Sequence, residues 1–356
     1  MRRAPAALAL TALLGWMSGC TSGFDRNDQI VNSLRILAVA AHVDDPTGMG
    51  IDWSDADVGD TIHLKALVAN PGGLATVTVS WLACLPITGQ TQPCTDEAYL
   101  RDPASIIPLS NDPTSGVLLL GTGVDVDYQV PDAINPLLQM QLANADAHVN
   151  AQCALYRQIP VLVIAQDSSN GAEFAAVRNL RLSPWKTIAQ HPENSNYAYY
   201  VRNQNPTITA FNLSPTSLDT CDGQPLATPC TTDADCGTGG TCGDDRFCSG
   251  GGGVFPDGAQ TVCVATGQPQ SYYTCGLDGP QIANPGDPPN IPEQPNVTWY
   301  MTAGSLSSFA PPANGSGGSV ASRTFTGFTR APGPFTIYGV VRDNRDGQNW
   351  IAQDFQ

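Results

Sequence analysis

Residues 161–177, VLVIAQDSSNGAEFAAV, decide the reading of this chain: an apolar run, Asp167, three residues, Gly171 and a second apolar run. Apolar runs rich in β-branched residues, flanking an Asp and a Gly at turn spacing, describe an antiparallel hairpin. The pattern returns at residues 336–351, TIYGVVRDNRDGQNWI, where Asp343 stands for Asp167 and Gly347 for Gly171. The elements upstream of each hairpin repeat in the same order. VTVSWLAC around Trp81 is matched by NVTWYMTAG around Trp299, and RILAVAA from Arg35 by PTITAFNL from Pro206. Such self-similarity predicts two copies of one unit, over residues 33–184 and 204–356, joined by a polar connector at 185–203.

Working outward, the remaining apolar segments are also strand-like. SLRILAVAAH from Ser33, TIHLKALVA from Thr61 and FAAVRNLRL from Phe174 are short, alternating or β-branched, and divided by Gly, Pro and Asp. The fold class is therefore all-β, with two tandem Ig-like β-sandwich domains. Trp81 and Trp299, mid-strand among apolar neighbours, are read as core tryptophans in preference to ligand-stacking ones. One segment departs from the pattern. Asn135 can cap a helix, Pro136 fits its first position, and Leu138, Leu142, Ala145, Val149 and Tyr156 recur near helical spacing, so the first unit carries a helical insertion at about 135–156. The second carries an insertion at about 215–275, where Cys230, Cys236, Cys242 and Cys248 are each separated by five residues with almost nothing apolar between them. Only cross-links can order a segment so poor in core residues.

The amino terminus reads as an export signal. Arg2 and Arg3 precede a short apolar run, and Met17-Ser18-Gly19-Cys20 fits a lipobox, so residues 1–19 are expected to be removed and Cys20 acylated. Acyl chains on Cys20 would make the membrane a partner, with residues 20–32 as a flexible leader. Thr21, where an Asp would favour inner-membrane retention, points to the outer membrane, with the surface and periplasmic faces both open. The other cysteines of the 11 are Cys84, Cys94, Cys153, Cys221, Cys230, Cys236, Cys242, Cys248, Cys263 and Cys275. An even set in an exported chain reads as disulfides. Three lie in the first half and seven in the second, so either one bridge crosses between the halves or each half keeps a free thiol. With 16 Lys and Arg against 32 Asp and Glu, the net charge of −16 argues against nucleic acid as a partner.

Motifs for chemistry are absent. There is no G-x-S-x-G, H-E-x-x-H, P-loop or G-x-G-x-x-G, and no two of the 4 histidines, His42, His63, His148 and His191, lie within a helical turn. The chain is accordingly read as a non-catalytic binding or structural module of the cell envelope, its partner an envelope protein or polysaccharide. A periplasm-facing accessory role in envelope assembly or transport is the alternative. A hydrolase in which His148 or His191 converges with carboxylates is the third reading. The five-residue gaps and an oxidising compartment disfavour zinc at the cysteines. No cofactor is expected, with calcium the one candidate. Asp52, Asp55, Asp57 and Asp60, with Asp44 and Asp45 nearby, crowd one loop, either as oxygen ligands or as solvated acids. Tyr197, Tyr199 and Tyr200 in the connector are either an exposed contact patch or packing between domains.

Taken together, the lipobox, SLRILAVAA, VSWLAC, NQNPTI from Asn203, WYMTAG, VVRDNRDGQNW from Val340 and the C-x5-C insert resemble predicted surface lipoproteins of myxobacterial type with Ig-like domains. The resemblance implies the fold and an envelope location, and no activity. In that family the last hairpin tends to read Arg-Asp, a basic residue, Gly-Gly and Trp. Here Asp346 stands in the place of one Gly, which puts the turn in question.

Overall fold

The computed structural model describes residues 29–85, 93–112, 115–136, 138–139, 157–193, 197, 200–213, 221, 224–226, 230, 232–236, 241–242, 248–249, 259–267, 270–272, 291–293, 295–306, 323–329 and 333–355. The signal, Cys20 and the leader up to Asp28 lie outside them, as do Cys153, Cys275, His148 and Tyr199.

The first unit contains β1 (Arg35–Val43), β2 (Asp55–Ala56), β3 (Thr61–Ala69), β4 (Val77–Cys84), β5 (Val117–Thr122), β6 (Asp125–Gln129), β7 (Arg157–Asp167) and β8 (Ala172–Leu182). They form two sheets, β1-β3-β6 and β2-β8-β7-β4-β5, in which pairs are antiparallel except for the short β2 beside β8. Alternation along each strand sets the faces. In β3, Ile62, Leu64, Ala66 and Val68 join the core between the sheets, where they meet Val161, Val163 and Trp81. Trp81 is 0% exposed, and its indole Nε1 donates to Gly123 O at 2.7 Å. The far face of the larger sheet is covered as well. Leu82, Leu162 and Ile164 pack beneath Ile106 and Tyr99 of a short helical segment, which the Cys84–Cys94 disulfide pins to the end of β4. That segment contains α1 (Glu97–Arg101), N-capped by Asp96. The helical insertion begins where expected, after a 3-10 turn at Asp132–Ile134. Leu138 is buried, and residues 140–156 lie outside the described residues.

The second unit contains β9 (Ile208–Leu213), β10 (Gln224–Pro225), β11 (Thr241–Cys242), β12 (Cys248–Ser249), β13 (Ala259–Thr266), β14 (Ser271–Tyr272), β15 (Ile291–Pro292), β16 (Asn296–Met301), β17 (Ser305–Leu306), β18 (Arg323–Thr329), β19 (Phe335–Arg342) and β20 (Gln348–Phe355). Sheet β10-β9-β13-β18-β17 faces sheet β16-β19-β20. Trp299 on β16 is buried between them, its ring 6.1 Å from Phe211 on β9. Hence β4 corresponds to β16 and the β7–β8 hairpin to β19–β20: the chain is two tandem Ig-like β-sandwiches. They differ at one edge, since β5 pairs with β4 whereas β17 pairs with β18. The Cys-rich insertion is shorter than the expected 215–275, because β13 within that range pairs with β9 and β18 and lends Val262 and Val264 to the core. Within it, Cys230–Cys242 and Cys236–Cys248 interleave, and Cys221–Cys263 anchors its start to β13.

The two sandwiches share an apolar seam. Leu37, Ala38, Leu67 and Ala69 on the outer face of β1 and β3 pack with Tyr300, Tyr338, Val340 and Trp350 on the outer face of the β16-β19-β20 sheet. Four sheets therefore stack, and burial of both inner faces makes the seam resemble a core in place of a hinge. Arg342 Nη2 donates to Leu37 O at 2.6 Å across it. The connector includes α2 (Trp185–Gln190) and buries Ile188 and Asn203.

Candidate functional site

The outer face of the β1-β3-β6 sheet changes character along its length. Beyond the apolar seam, strand alternation brings polar residues outward, and the pairing register lines them up across three strands. His42 pairs with His63, and His63 with Asp127; one rung along, Ala40 pairs with Lys65, and Lys65 with Asp125. These rungs floor a cleft of about 760 Å³ whose rim carries Asp44 and Asp52 from the β1–β2 loop and Asn205 from the second sandwich.

The histidines are fixed by carboxylates. His42 Nδ1 lies 2.9 and 2.8 Å from the two oxygens of Asp52. His63 Nδ1 lies 2.6 Å from Asp127 Oδ1, and its Nε2 lies 3.2 Å from Asp44 Oδ1. Partial burial works against a charged His63, but the hydrogen bonds and charges of Asp127 and Asp44 outweigh it and raise the imidazole above its ordinary range. Asn205, 4% exposed, holds the opposite wall. Its Nδ2 donates to Ala41 O at 2.8 Å and to Asp52 Oδ1 at 3.0 Å, and its own N donates to Asp52 O at 2.8 Å. Between these anchors the loop folds on itself. Asp45 accepts from Thr47 N, Thr47 Oγ1 and Ile51 N, and the Thr47 hydroxyl bond foremost holds its carboxyl well below the usual range. Gly48 and Gly50, at φ 70° and 73°, take left-handed turns that L side chains resist.

The carboxylates considered for calcium do not converge, and the reading as solvated loop acids fails for Asp55 and Asp57, which are buried. Asp55, 0% exposed, pairs with Arg181 Nε at 3.1 Å and accepts from Asn203 N and Tyr200 Oη, both at 3.3 Å. Burial pushes Asp55 up, while Arg181 and Arg345 pull the other way. Asp57 accepts from Lys186 N at 2.9 Å and Val58 N at 2.7 Å, and burial is the main reason its carboxyl is raised. Asp60 pairs with Lys186 Nζ at 2.6 Å and accepts from Trp185 Nε1 at 2.8 Å. Asp52 belongs to the His42 pair. Each carboxylate is thus occupied by protein donors, and among the described residues no three of them come within ligating reach of one another. Among the described residues, the one group of three potential metal ligands within reach of each other is Cys230, Cys236 and Cys242, and all three are in disulfides.

Of the connector tyrosines, Tyr200 is packing: its hydroxyl lies 2.6 Å from Ser183 Oγ as well as near Asp55. Tyr197 is half-buried, and Tyr199 lies outside the described residues. The connector instead supplies Arg202, whose guanidinium lies between the Trp53 ring at 4.6 Å and the Trp185 ring at 4.0 Å and donates to Asp55 O at 2.9 Å. His191 ends α2 on the surface beside Glu193 at 3.2 Å. The His42–His63–Asp127 row escaped the sequence reading because linear spacing separates its members. Alternation in TIHLKALVA already put His63 and Lys65 on the polar face of β3; what was missing was the register against β1.

At the junction behind the cleft, Arg345, 4% exposed, donates to Glu293 Oε1 at 2.9 Å and Gln270 Oε1 at 3.1 Å. Burial, then the charge of Asp343, pushes Glu293 up to about 7. Asp343 Oδ1 accepts from Arg345 N at 2.8 Å and Gly347 N at 2.7 Å, the hairpin turn that the repeat pattern marks. Asp346 adopts φ 76°, the left-handed conformation a Gly would take there, so the turn survives the replacement.

No family model matches the chain, and no curated protein is similar to it in sequence. Among solved structures, the C-terminal domain of the AgI/II polypeptide BspA from Streptococcus agalactiae is similar at 9% identity, covering 90% of this chain and 100% of that one, with a TM-score of 0.22. Fibronectin(III)-like modules of CbhA from Clostridium thermocellum are similar at 7% identity, with 89% and 93% coverage and a TM-score of 0.17. PorU from Porphyromonas gingivalis shares 11% identity over 91% of this chain and 24% of its own length, with a TM-score of 0.22. Likeness at that level carries no inference about this chain.

Proposed function

We propose that the protein is a non-catalytic binding module of the bacterial cell envelope, tethered by acyl chains on Cys20, whose fused sandwiches hold an acidic cleft toward a basic segment of an envelope protein. The carrying observation is the row His42–His63–Asp127 with Asp44, Asp52 and Asp125 around one cleft. Both imidazoles turn ring nitrogens to carboxylates, an arrangement that fixes charge without presenting a nucleophile to activate. Asp44, Asp52, Asp125 and Asp127 outweigh Lys65 and His63, so a Lys or Arg side chain complements the cleft. Among the described residues the lining holds no Phe, Tyr or Trp ring on which a sugar could stack, which favours protein over polysaccharide.

The reading is tested by titrating the soluble chain from Thr21 with an oligolysine peptide, a neutral peptide of equal length and a neutral glucan, followed by NMR. Expected are shifts at His42, His63 and neighbouring amides with oligolysine alone, weakened by salt and by D125N/D127N. Shifts with the glucan alone, or none with any ligand at millimolar concentration, would overturn it. Anchoring is tested separately by intact mass of the membrane-extracted protein, where a diacyl or triacyl mass on an N-terminal Cys20 is expected. Protease shaving of intact cells distinguishes a surface module, which is cleaved, from the periplasm-facing accessory.

A further inference from the structure

We infer that the loop at residues 44–52 is a proton-dependent flap beside the cleft, caught at one end by His63 and hinged at the other on Asn205. The geometry is asymmetric. Asp44 opens the loop and meets His63 Nε2; Asp52 closes it and is held by His42 and by Asn205, an amide that does not titrate. Between them, Asp45 ties residues 47 and 51 together, so the intervening turn moves as a unit.

The catch needs a second proton on the imidazole. Both ring nitrogens of His63 face carboxylate oxygens, at 2.6 and 3.2 Å. Imidazolium donates to both, whereas neutral imidazole has one N–H and would turn a lone pair toward the other carboxylate. Asp127 is the partner that stays, because its bond is the shorter and its backbone is laddered to β3. Asp44, with its side chain 80% exposed on a loop, is the partner released. The groups facing His63 are His42 on β1, Asp125 and Asp127 on β6, Lys65 on its own strand, and Asp44 and Asp45 from the loop. Carboxylates predominate, so the fastened state belongs to acidic and neutral pH and the released state to higher pH.

The release frees the Asp44 carboxylate at the cleft rim, and as regulation of binding it rests on the reading proposed above. Its test contains no ligand. Hydrogen exchange of peptides spanning residues 45–52 is compared at pH 5.5 and 8.5 after correction for intrinsic rates, in the whole chain and in His63→Gln and Asp44→Asn. Protection in the unsubstituted protein is expected to fall by about tenfold at the higher pH. Both variants should exchange fast at either pH, while His191→Gln keeps the step. Equal protection at both pH values, or a step that survives in the variants, overturns the flap. Should His63→Gln fail to fold, Asp44→Asn on the exposed loop decides alone. Failure here leaves the cleft's ligand binding standing, and failure of the oligolysine titration leaves the flap standing.

Discussion

His42 and His63 face each other as a register pair across β1 and β3, and each turns Nδ1 to a carboxylate, Asp52 at 2.8 Å and Asp127 at 2.6 Å. For His63 the folded-state pKa is raised, so the folded chain binds its proton more tightly than the unfolded chain does. That contribution to stability is complete below the unfolded pKa of roughly 6.5 and is lost as pH rises through the folded value. Urea unfolding of the parent and of His63→Gln should therefore differ at pH 5.5 and converge by pH 9. With a partly exposed ring, the difference should be about 1 kcal/mol or less. A gap that widens with pH would reverse the assignment of the charged form.

The apolar seam makes a prediction about cooperativity. Leu37 is 4% exposed, against Tyr338 and Val340 of the other sandwich. Leu37→Asp buries an unpaired carboxylate there, at a cost of several kcal/mol unless the sandwiches part. Calorimetry should show one transition for the parent and two for the variant, since each sandwich keeps its own core. A single, merely lowered transition in the variant would mean that the seam does not couple the two units.

Much of this was legible in the chain. The hairpin repeat at Asp167 and Asp343 and the matching Trp81 and Trp299 yield both sandwiches, because period-two alternation and turn chemistry are local. The seam was not legible, since Leu37 and Leu67 alternate like any core residues and nothing local says which face meets a second domain. Nor was the fate of Asp55, Asp57 and Asp60. Acids crowded in a Gly-rich loop look like solvent or calcium ligands until Arg181, Lys186 and Trp185 arrive from more than a hundred residues away. Tyr200 and Arg202 show the same limit in the connector, where a polar stretch hides a buried charged stack.

Gly347 tests the hairpin correspondence. A Cβ there would overlap the Asp343 carboxylate and stand 3.0 Å from Gln204 O, whereas one at Gly171 would meet nothing within 4 Å. Gly171 has φ 72°, so Gly171→Ala suffers backbone strain alone, about 1–2 kcal/mol. Gly347→Ala must displace a carboxylate that caps two amides beside the second sandwich's junction, and overpacking of this kind costs about 1–3 kcal/mol together with the lost cap bonds. The larger loss in melting temperature is expected for Gly347→Ala, and equal losses would show that the Asp343 turn yields freely.

The four disulfides narrow the choice between a bridge across the halves and a free thiol in each to two residues. Cys84–Cys94 lies wholly in the first unit, and Cys221–Cys263, Cys230–Cys242 and Cys236–Cys248 lie wholly in the second. Besides Cys20, the cysteines outside those bridges are Cys153 and Cys275, one in each half. On the proposed export and acylation of Cys20, these two thiols are free as a pair or not at all, and an oxidising compartment makes the expected count under denaturing, non-reducing conditions zero. A count of two would leave the halves without a covalent link besides the backbone. A count of one would contradict the acylation of Cys20, since ten cysteines paired within one chain leave an even number of thiols, and the alkylated peptide would identify the free residue. The Cys221–Cys263 bridge, with a sequence separation of 42, restricts the unfolded chain most among the four, by about 4 kcal/mol in the loop-entropy description. Cys221→Ser/Cys263→Ser should accordingly lower the unfolding midpoint of the chain more than Cys84→Ser/Cys94→Ser does, whose bridge closes a separation of 10.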